Sequence, residues 1–251
     1  MGAFHEGHLS LIRAARAACD LVVVWLFVNP TQFNESSDLV NYPRDEERDA
    51  RLAAECGADI LFAPPVEEVY PAGFATTVSV SGIADVLEGA HRPGHFAGVA
   101  TVVAKMLNMV GPDVAFFGAK DAQQVAVVRR MVADLDLPVT LEVLPIVREA
   151  DGLAMSSRNV RLDANDRRRA LALSRGLAAA RDAAAAGERD AAALAGIVSD
   201  ELAKESLAAE YVAVLDPDTF TPVPLVDRPA LVALAARVGP VRLIDNMEVR
   251  P

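Results

Sequence analysis

Leu21-Val22-Val23-Val24-Trp25-Leu26-Phe27-Val28 is an unbroken apolar run, mostly β-branched or aromatic. A strand with no polar face must be covered on both sides, which is the condition inside a parallel sheet flanked by helices. At eight residues the run is far shorter than the about 20 a membrane-crossing helix needs. The neighbouring segments fit the same reading. Leu9, Leu11, Ile12 and Ala15 recur at helical spacing, so residues 7–18 are expected to form a helix feeding the strand. Pro43 is expected in the first turn of a helix reaching Glu55, with Gly57 ending it. Asp59 to Phe62 reads as a short strand, Val99 to Val110 as a buried helix stopped by Gly111-Pro112, and Val114 to Phe117 as a strand. Gln123 to Leu135 reads as a helix and Val139 to Val147 as a strand. This alternation predicts a Rossmann-like α/β fold, an open parallel sheet with helices on both faces.

After residue 148 the pattern changes. Residues 163–205 are rich in Ala, Arg, Asp and Glu and predict two helices broken near Gly187. Strand candidates follow at 210–215, 231–236 and, after the Gly239-Pro240 turn signal, 241–244. The expected organisation is therefore a domain of residues 1–147 and a smaller α+β domain of residues 148–251.

Charge narrows the partners. With 35 acidic and 24 basic residues the net charge is −11, which argues against nucleic-acid and membrane-surface binding. A few local Arg and Lys residues can still hold an anionic small molecule. Cys19 and Cys56 form no disulfide framework and no CxxC motif. The start, Met1-Gly2-Ala3-Phe4-His5, lacks a basic region followed by an apolar stretch. The expectation is a soluble, cytoplasmic protein.

In open α/β sheets ligands bind beyond the carboxyl ends of the strands, so chemistry-bearing residues are sought there. The four histidines fall in two clusters, His5-Glu6-Gly7-His8 and His91 with His95. Zinc binding and plain helix capping are both open for them, although Pro93-Gly94 argues against one helix carrying His91 and His95. The sharper reading of the first cluster is a phosphate site. Gly7 allows close backbone approach, and a helix N-terminus offers free N–H groups and a positive dipole end. No GxxxxGK[ST] and no GxGxxG occurs. Met155-Ser156-Ser157-Arg158 offers two hydroxyls and a guanidinium. Gly118-Ala119-Lys120-Asp121 places one of only three lysines directly after a strand. In Phe27 to Phe33, Asn29 and Gln32 are neutral amides suited to a hydroxylated carboxylate.

Together these stretches resemble the pantoate–β-alanine ligase family, within the nucleotidyltransferases that carry HIGH- and KMSKS-like signatures. The matching residues include Met1 to His8, Phe27 to Phe33, Tyr42-Pro43-Arg44, Leu87-Glu88-Gly89, Arg92 to Phe96 and Phe117 to Asp121. They continue with Gln123-Gln124, Arg148, Asp151 to Asn159 and the closing Leu243-Ile244-Asp245-Asn246. The resemblance implies that ATP activates pantoate as an adenylate and that β-alanine then displaces AMP. It implies ATP contacts from Met1, Gly2, Ala3, Phe4, His5, Glu6, Gly7 and His8, from Gly118, Ala119, Lys120 and Asp121, and from Val147, Met155, Ser156, Ser157 and Arg158. His5, His8, Lys120 and Arg158 are the implied catalytic residues, with His8 the proton donor. Asn29, Gln32 and Gln124 are implied for pantoate and β-alanine, Mg²⁺ for the phosphates without assigned ligands, and a homodimer for the assembly. The separate loops are expected to converge on one crevice, with the second domain closing over a water-labile intermediate.

The chain departs from the family in two places. Family members carry a strand before the Met-Gly motif, so its absence here is expected to leave apolar edge exposed, pointing to a start further upstream or a weakened homologue. Ala119 stands where the family usually has Glu, a change expected to loosen the surroundings of Lys120. A related nucleotidyltransferase with another acid substrate, and a non-catalytic remnant, are the competing readings.

Overall fold

The computed structural model describes residues 2–33, 39–40 and 42–251. Met1 lies outside the described residues, so its expected ATP contact has no structural counterpart. The chain forms two compact units, one of Met1–Ala119 with Gln123–Pro145 and the other of Lys120–Ala122 with Ile146–Pro251.

The first unit alternates helices α1 (Glu6–Ala18), α2 (Glu46–Glu55), α3 (His95–Val110) and α4 (Ala122–Asp134) with strands β1 (Val23–Trp25), β2 (Ile60–Phe62), β3 (Val114–Gly118) and β4 (Thr140–Leu144). Its strands pair in parallel, β1 with β2 and β3 with β4. The single open sheet expected from the sequence is thus two separate two-stranded sheets among the described residues. The strand read as Leu21 to Val28 is laddered only where its partner is long enough, over three residues, and Leu21 is 60% exposed. Four residues of the apolar run are buried all the same. Val22, Val24, Trp25 and Phe27 are all at or below 9% exposure.

Two helix starts also differ from expectation. Pro43 precedes α2 rather than opening it, because Asp45 is the N-cap and its carboxylate accepts the Arg48 N–H. Helix α3 begins at His95, immediately after Gly94, instead of at Val99. A left-handed Gly111 (φ 60°) ends it, its N–H bonding the Leu107 carbonyl. His91 belongs to a separate turn, Glu88–His91.

In the second unit α5 (Ala164–Ala185) and α6 (Ala191–Lys204) pack on each other and on an antiparallel sheet in the order β5 (Ala209–Leu215), β6 (Ala230–Val238), β7 (Val241–Val249). Residues 230–236 are buried at every position, which suits a central strand built of Ala, Val and Leu. The Gly239-Pro240 turn joins Val238 to Val241 at the closed end of the β6–β7 ladder.

Candidate active site

In the first unit, the segment leading into α1 is held from below by one carboxylate. Asp49 on α2 is 1% exposed and accepts the Ala3 and Phe4 N–H groups, one on each oxygen, at 2.7 Å. Those bonds stabilise Ala3 at φ 53°, a left-handed conformation unusual for alanine. Arg48 Nη1 donates to the Phe4 carbonyl at 3.1 Å. His5 is the N-cap of α1, its carbonyl accepting the His8 and Leu9 N–H groups. The His5 and His8 rings stack with centroids 4.0 Å apart. The fold therefore brings both imidazoles together at the positive end of a helix dipole, the geometry that favours an anion. Glu6, in the same first turn, pairs with Arg13.

The loop after β1 is organised by Asn29, which is 2% exposed. Its Nδ2 donates to the Gly98 carbonyl at 3.1 Å, and its Oδ1 accepts from Tyr70 Oη at 2.8 Å and Thr31 Oγ1 at 2.9 Å. Burial raises the Tyr70 hydroxyl pKa, an effect its hydrogen bonds to Thr31 and Asn29 partly oppose. Gly98 is required by close approach, since a Cβ there would stand 2.5 Å from the Thr31 carbonyl oxygen. Asn29, expected to touch substrate, frames this loop through these bonds. Gln32 is half-buried, and its carbonyl accepts from His95 Nδ1 at 2.8 Å and Arg92 Nη2 at 3.1 Å. His95 thus orients a backbone instead of joining His91, whose Nδ1 faces the Leu87 carbonyl. Among the described residues no three His, Cys, Asp or Glu side chains gather as a metal site.

Gln123 at the start of α4 is 5% exposed, donating to the Ile83 and Val86 carbonyls and accepting the Glu88 N–H. Gln124 beside it is half-buried.

In the second unit, residues 147–155 form a hairpin. Met155 N–H bonds the Val147 carbonyl, Arg148 bridges Ala154, and Glu149 N–H bonds the Leu153 carbonyl. The next turn is closed by Ser156, whose hydroxyl accepts the Arg158 N–H at 3.2 Å and whose carbonyl accepts the Asn159 N–H. Asn159 is 7% exposed and donates to Glu149 Oε1 at 2.7 Å and the Ala154 carbonyl at 3.1 Å. Arg167 on α5 then grips Glu149 at 2.8 Å and Asp151 at 2.7 Å. Its guanidinium holds the Glu149 carboxyl below the ordinary carboxylate range. At Asp151 desolvation works the other way, but Arg167 and the Leu153 N–H outweigh it and the pKa is again lowered. Lys120, in the 3₁₀ turn Ala119–Asp121, is partly exposed, with Nζ 3.9 Å from Asp121 Oδ1.

A family model for pantoate–β-alanine ligase matches residues 1–248. The chain belongs to the pantoate–β-alanine ligase family. It is 56% identical over 250 residues to the pantothenate synthetase of Heliobacterium modesticaldum, covering 99% of this chain and 89% of that protein. It is 55% identical over 249 residues to that of Cereibacter sphaeroides, with the same coverages. The crystal structure of pantothenate synthetase from Thermus thermophilus superposes with a TM-score of 0.97 at 47% identity, covering all of this chain and 91% of that one. A pantoate–β-alanine ligase from Francisella tularensis, complexed with β,γ-ATP and β-alanine, gives 0.82 at 33% identity, covering 98% and 86%.

Within this ligase family member, the residues that sequence reading misses share one trait. Asp49, Tyr70, Glu149 and Arg167 act on backbone groups or side chains from elsewhere in their own unit. None belongs to a motif beyond a single charged or aromatic letter, so no local signal marks them. Gln123 is visible only as half of a Gln-Gln pair.

Proposed function

We propose that this chain condenses pantoate with β-alanine to pantothenate, converting ATP to AMP and pyrophosphate. The observation that carries the reading is identity above half to named pantothenate synthetases along nearly the whole chain. The competing readings, another acid substrate or a non-catalytic remnant, are not favoured by relatedness of that extent.

The reaction divides in two. A pantoate carboxylate oxygen attacks the α-phosphorus, a C–O–P linkage forms, and the Pα–O bond to the leaving pyrophosphate breaks. The β-alanine nitrogen then attacks the acyl carbon, forming the amide as AMP departs and the amine gives up its proton. Carboxylate and triphosphate repel, so catalysis consists mainly of neutralising phosphate charge and aligning the acid. His5 and His8, stacked at the α1 N-terminus, suit hydrogen bonding to phosphate oxygens, with His8 the proton donor. Phe4, Gly2, Ala3, Glu6 and Gly7 line that ATP segment. Lys120, Ser156, Ser157 and Arg158 supply charge and hydroxyls to phosphates, Gly118, Ala119, Asp121 and Met155 flank them, and the Val147 backbone faces adenine. Asn29 and Gln32, in the loop after β1, and Gln124, on α4, hold pantoate and β-alanine.

Mg²⁺ would come with the triphosphate. It is a hard cation that keeps much of its water shell and needs few protein ligands. When bound, the ion would screen phosphate charge. We further read residues 1–147 as the nucleotide- and pantoate-binding domain and 148–251 as a closing domain, in a cytoplasmic homodimer. No helix among the described residues is long and apolar enough to cross a membrane.

The adenylate step can be isolated by ATP–pyrophosphate exchange without β-alanine. Exchange of labelled pyrophosphate into ATP is expected only when pantoate is present. Exchange that ignores pantoate, or prefers another hydroxy acid, would overturn the substrate assignment.

A further inference from the structure

Asp245 and Asn246 sit mid-strand in β7, only 2% and 7% exposed, outside every loop assigned to the chemistry. Each has a defined partner. Asp245 takes both arms of the Arg148 guanidinium, at 2.7 and 3.0 Å, and accepts the Asn246 N–H at 2.8 Å. Asn246 Nδ2 donates to the Lys120 carbonyl at 2.9 Å, across 126 positions of sequence. Arg148 in turn reaches the Gly152 carbonyl at 3.2 Å and the Asn246 carbonyl at 3.4 Å. Lys120, Arg148 and β7 all belong to the C-terminal unit.

Two successive side chains of one strand therefore grip the backbone of Lys120 and the base of the hairpin that leads into Met155–Arg158. Stability alone does not explain this choice. A buried ion pair costs desolvation that its attraction only repays in good geometry, and an apolar pair of similar volume often serves stability as well or better. What apolar residues cannot do is fix a carbonyl and a guanidinium at set positions.

We propose that Asp245 and Asn246 are positioning residues for nucleotide binding, setting Lys120 and the 148–158 hairpin on one strand so that both meet the phosphates in register. The inference rests on the reading of Lys120 and Ser156–Arg158 as phosphate ligands. Lysine ends a flexible four-carbon stem. Anchoring its carbonyl removes backbone freedom that binding would otherwise have to freeze out.

The test is a double-mutant cycle between Asn246 and Lys120, read by ATP affinity in titration calorimetry and by KM for ATP, with KM for β-alanine as internal control. Asn246→Asp replaces the donor with an acceptor facing the Lys120 carbonyl, and Asn246→Ala carries the same test should the charged variant fail to fold. Either is expected to weaken ATP on the order of tenfold, the cost of a lost hydrogen bond plus an unmet, partly buried carbonyl, leaving KM for β-alanine within about twofold. In a Lys120→Ala background the Asn246 substitution is expected to cost almost nothing further, because the ammonium it positions is gone. Additive losses, or equal losses for ATP and β-alanine, would overturn the proposal, since a purely structural defect behaves that way. Failure of the proposed reaction looks different: no pantothenate forms, while ATP binding and its coupling to Asn246 persist.

Discussion

The two units hold their candidate loops by different means. In the first, single buried side chains satisfy several backbone groups each: Asp49 under Ala3 and Phe4, Asn29 between Thr31 and Gly98, Gln123 between Ile83, Val86 and Glu88. In the second, guanidinium forks clamp carboxylates, Arg148 on Asp245 and Arg167 on Glu149 with Asp151. The first device is short-ranged and, at Asn29 and Gln123, uncharged, so it should respond little to salt or pH. The second is electrostatic and should respond to both. The loop that an acid substrate would enter is thus framed largely by neutral groups, and the loop assigned to phosphate by charged ones.

The largest expected effect breaks the charged device at its most buried point. Asp245→Ala leaves the Arg148 guanidinium without its carboxylate and is expected to cost about 3–5 kcal/mol of stability, the range for breaking a buried pair. Chemical denaturation checks it, and a loss under about 1 kcal/mol would mean the pair is not a structural clamp. Asn29→Ala probes the neutral device. It removes the acceptor for Tyr70 and Thr31 and the donor to Gly98 together, with an expected cost of about 2 kcal/mol, and KM for pantoate should rise more than KM for ATP. The reverse ordering of the two KM values would erase the contrast between the units.

Arg167→Ala comes next, with a few-fold rise in KM for ATP and a smaller stability loss, because the network is partly exposed. Its pH signature has a definite sign. Glu149 and Asp151 titrate below their ordinary values of 4.5 and 3.8, so the stability they confer is complete above those values. It is lost as pH falls through the lowered folded-state pKa values. Removing Arg167 should flatten the acid-side decline of melting temperature, whereas an unchanged slope would place the charges elsewhere. The smallest effect is expected at Ala119→Glu, a gain of a few-fold in ATP affinity or kcat through firmer surroundings for Lys120; no gain in either would remove that position from the account.

Much of the architecture is legible in the sequence because it follows from period and punctuation. The break near Gly187, the Gly239-Pro240 hairpin and the stop at Gly111 all occur as local chemistry dictates. Strand extent is not legible, since β1 can be no longer than the partner it ladders with, and β2 offers three residues. The start of α3 reads too late because the continuous apolar pattern begins at Val99, while the chain turns helical directly after the left-handed Gly94, at His95. At the site, motif residues are found by kind and by place. The contacts that hold them are not, since Asn246 reaches Lys120 across 126 positions and Asn29 reaches Gly98 across 69, distances at which neither spacing nor composition carries information.

Product stoichiometry is the most direct test. Purified protein given ATP, pantoate and β-alanine should form one AMP and one pyrophosphate for each pantothenate, with no ADP and no amide when either acid is omitted. Release of ADP and orthophosphate, or amide formation from β-alanine with an unrelated acid at equal rate, would contradict it.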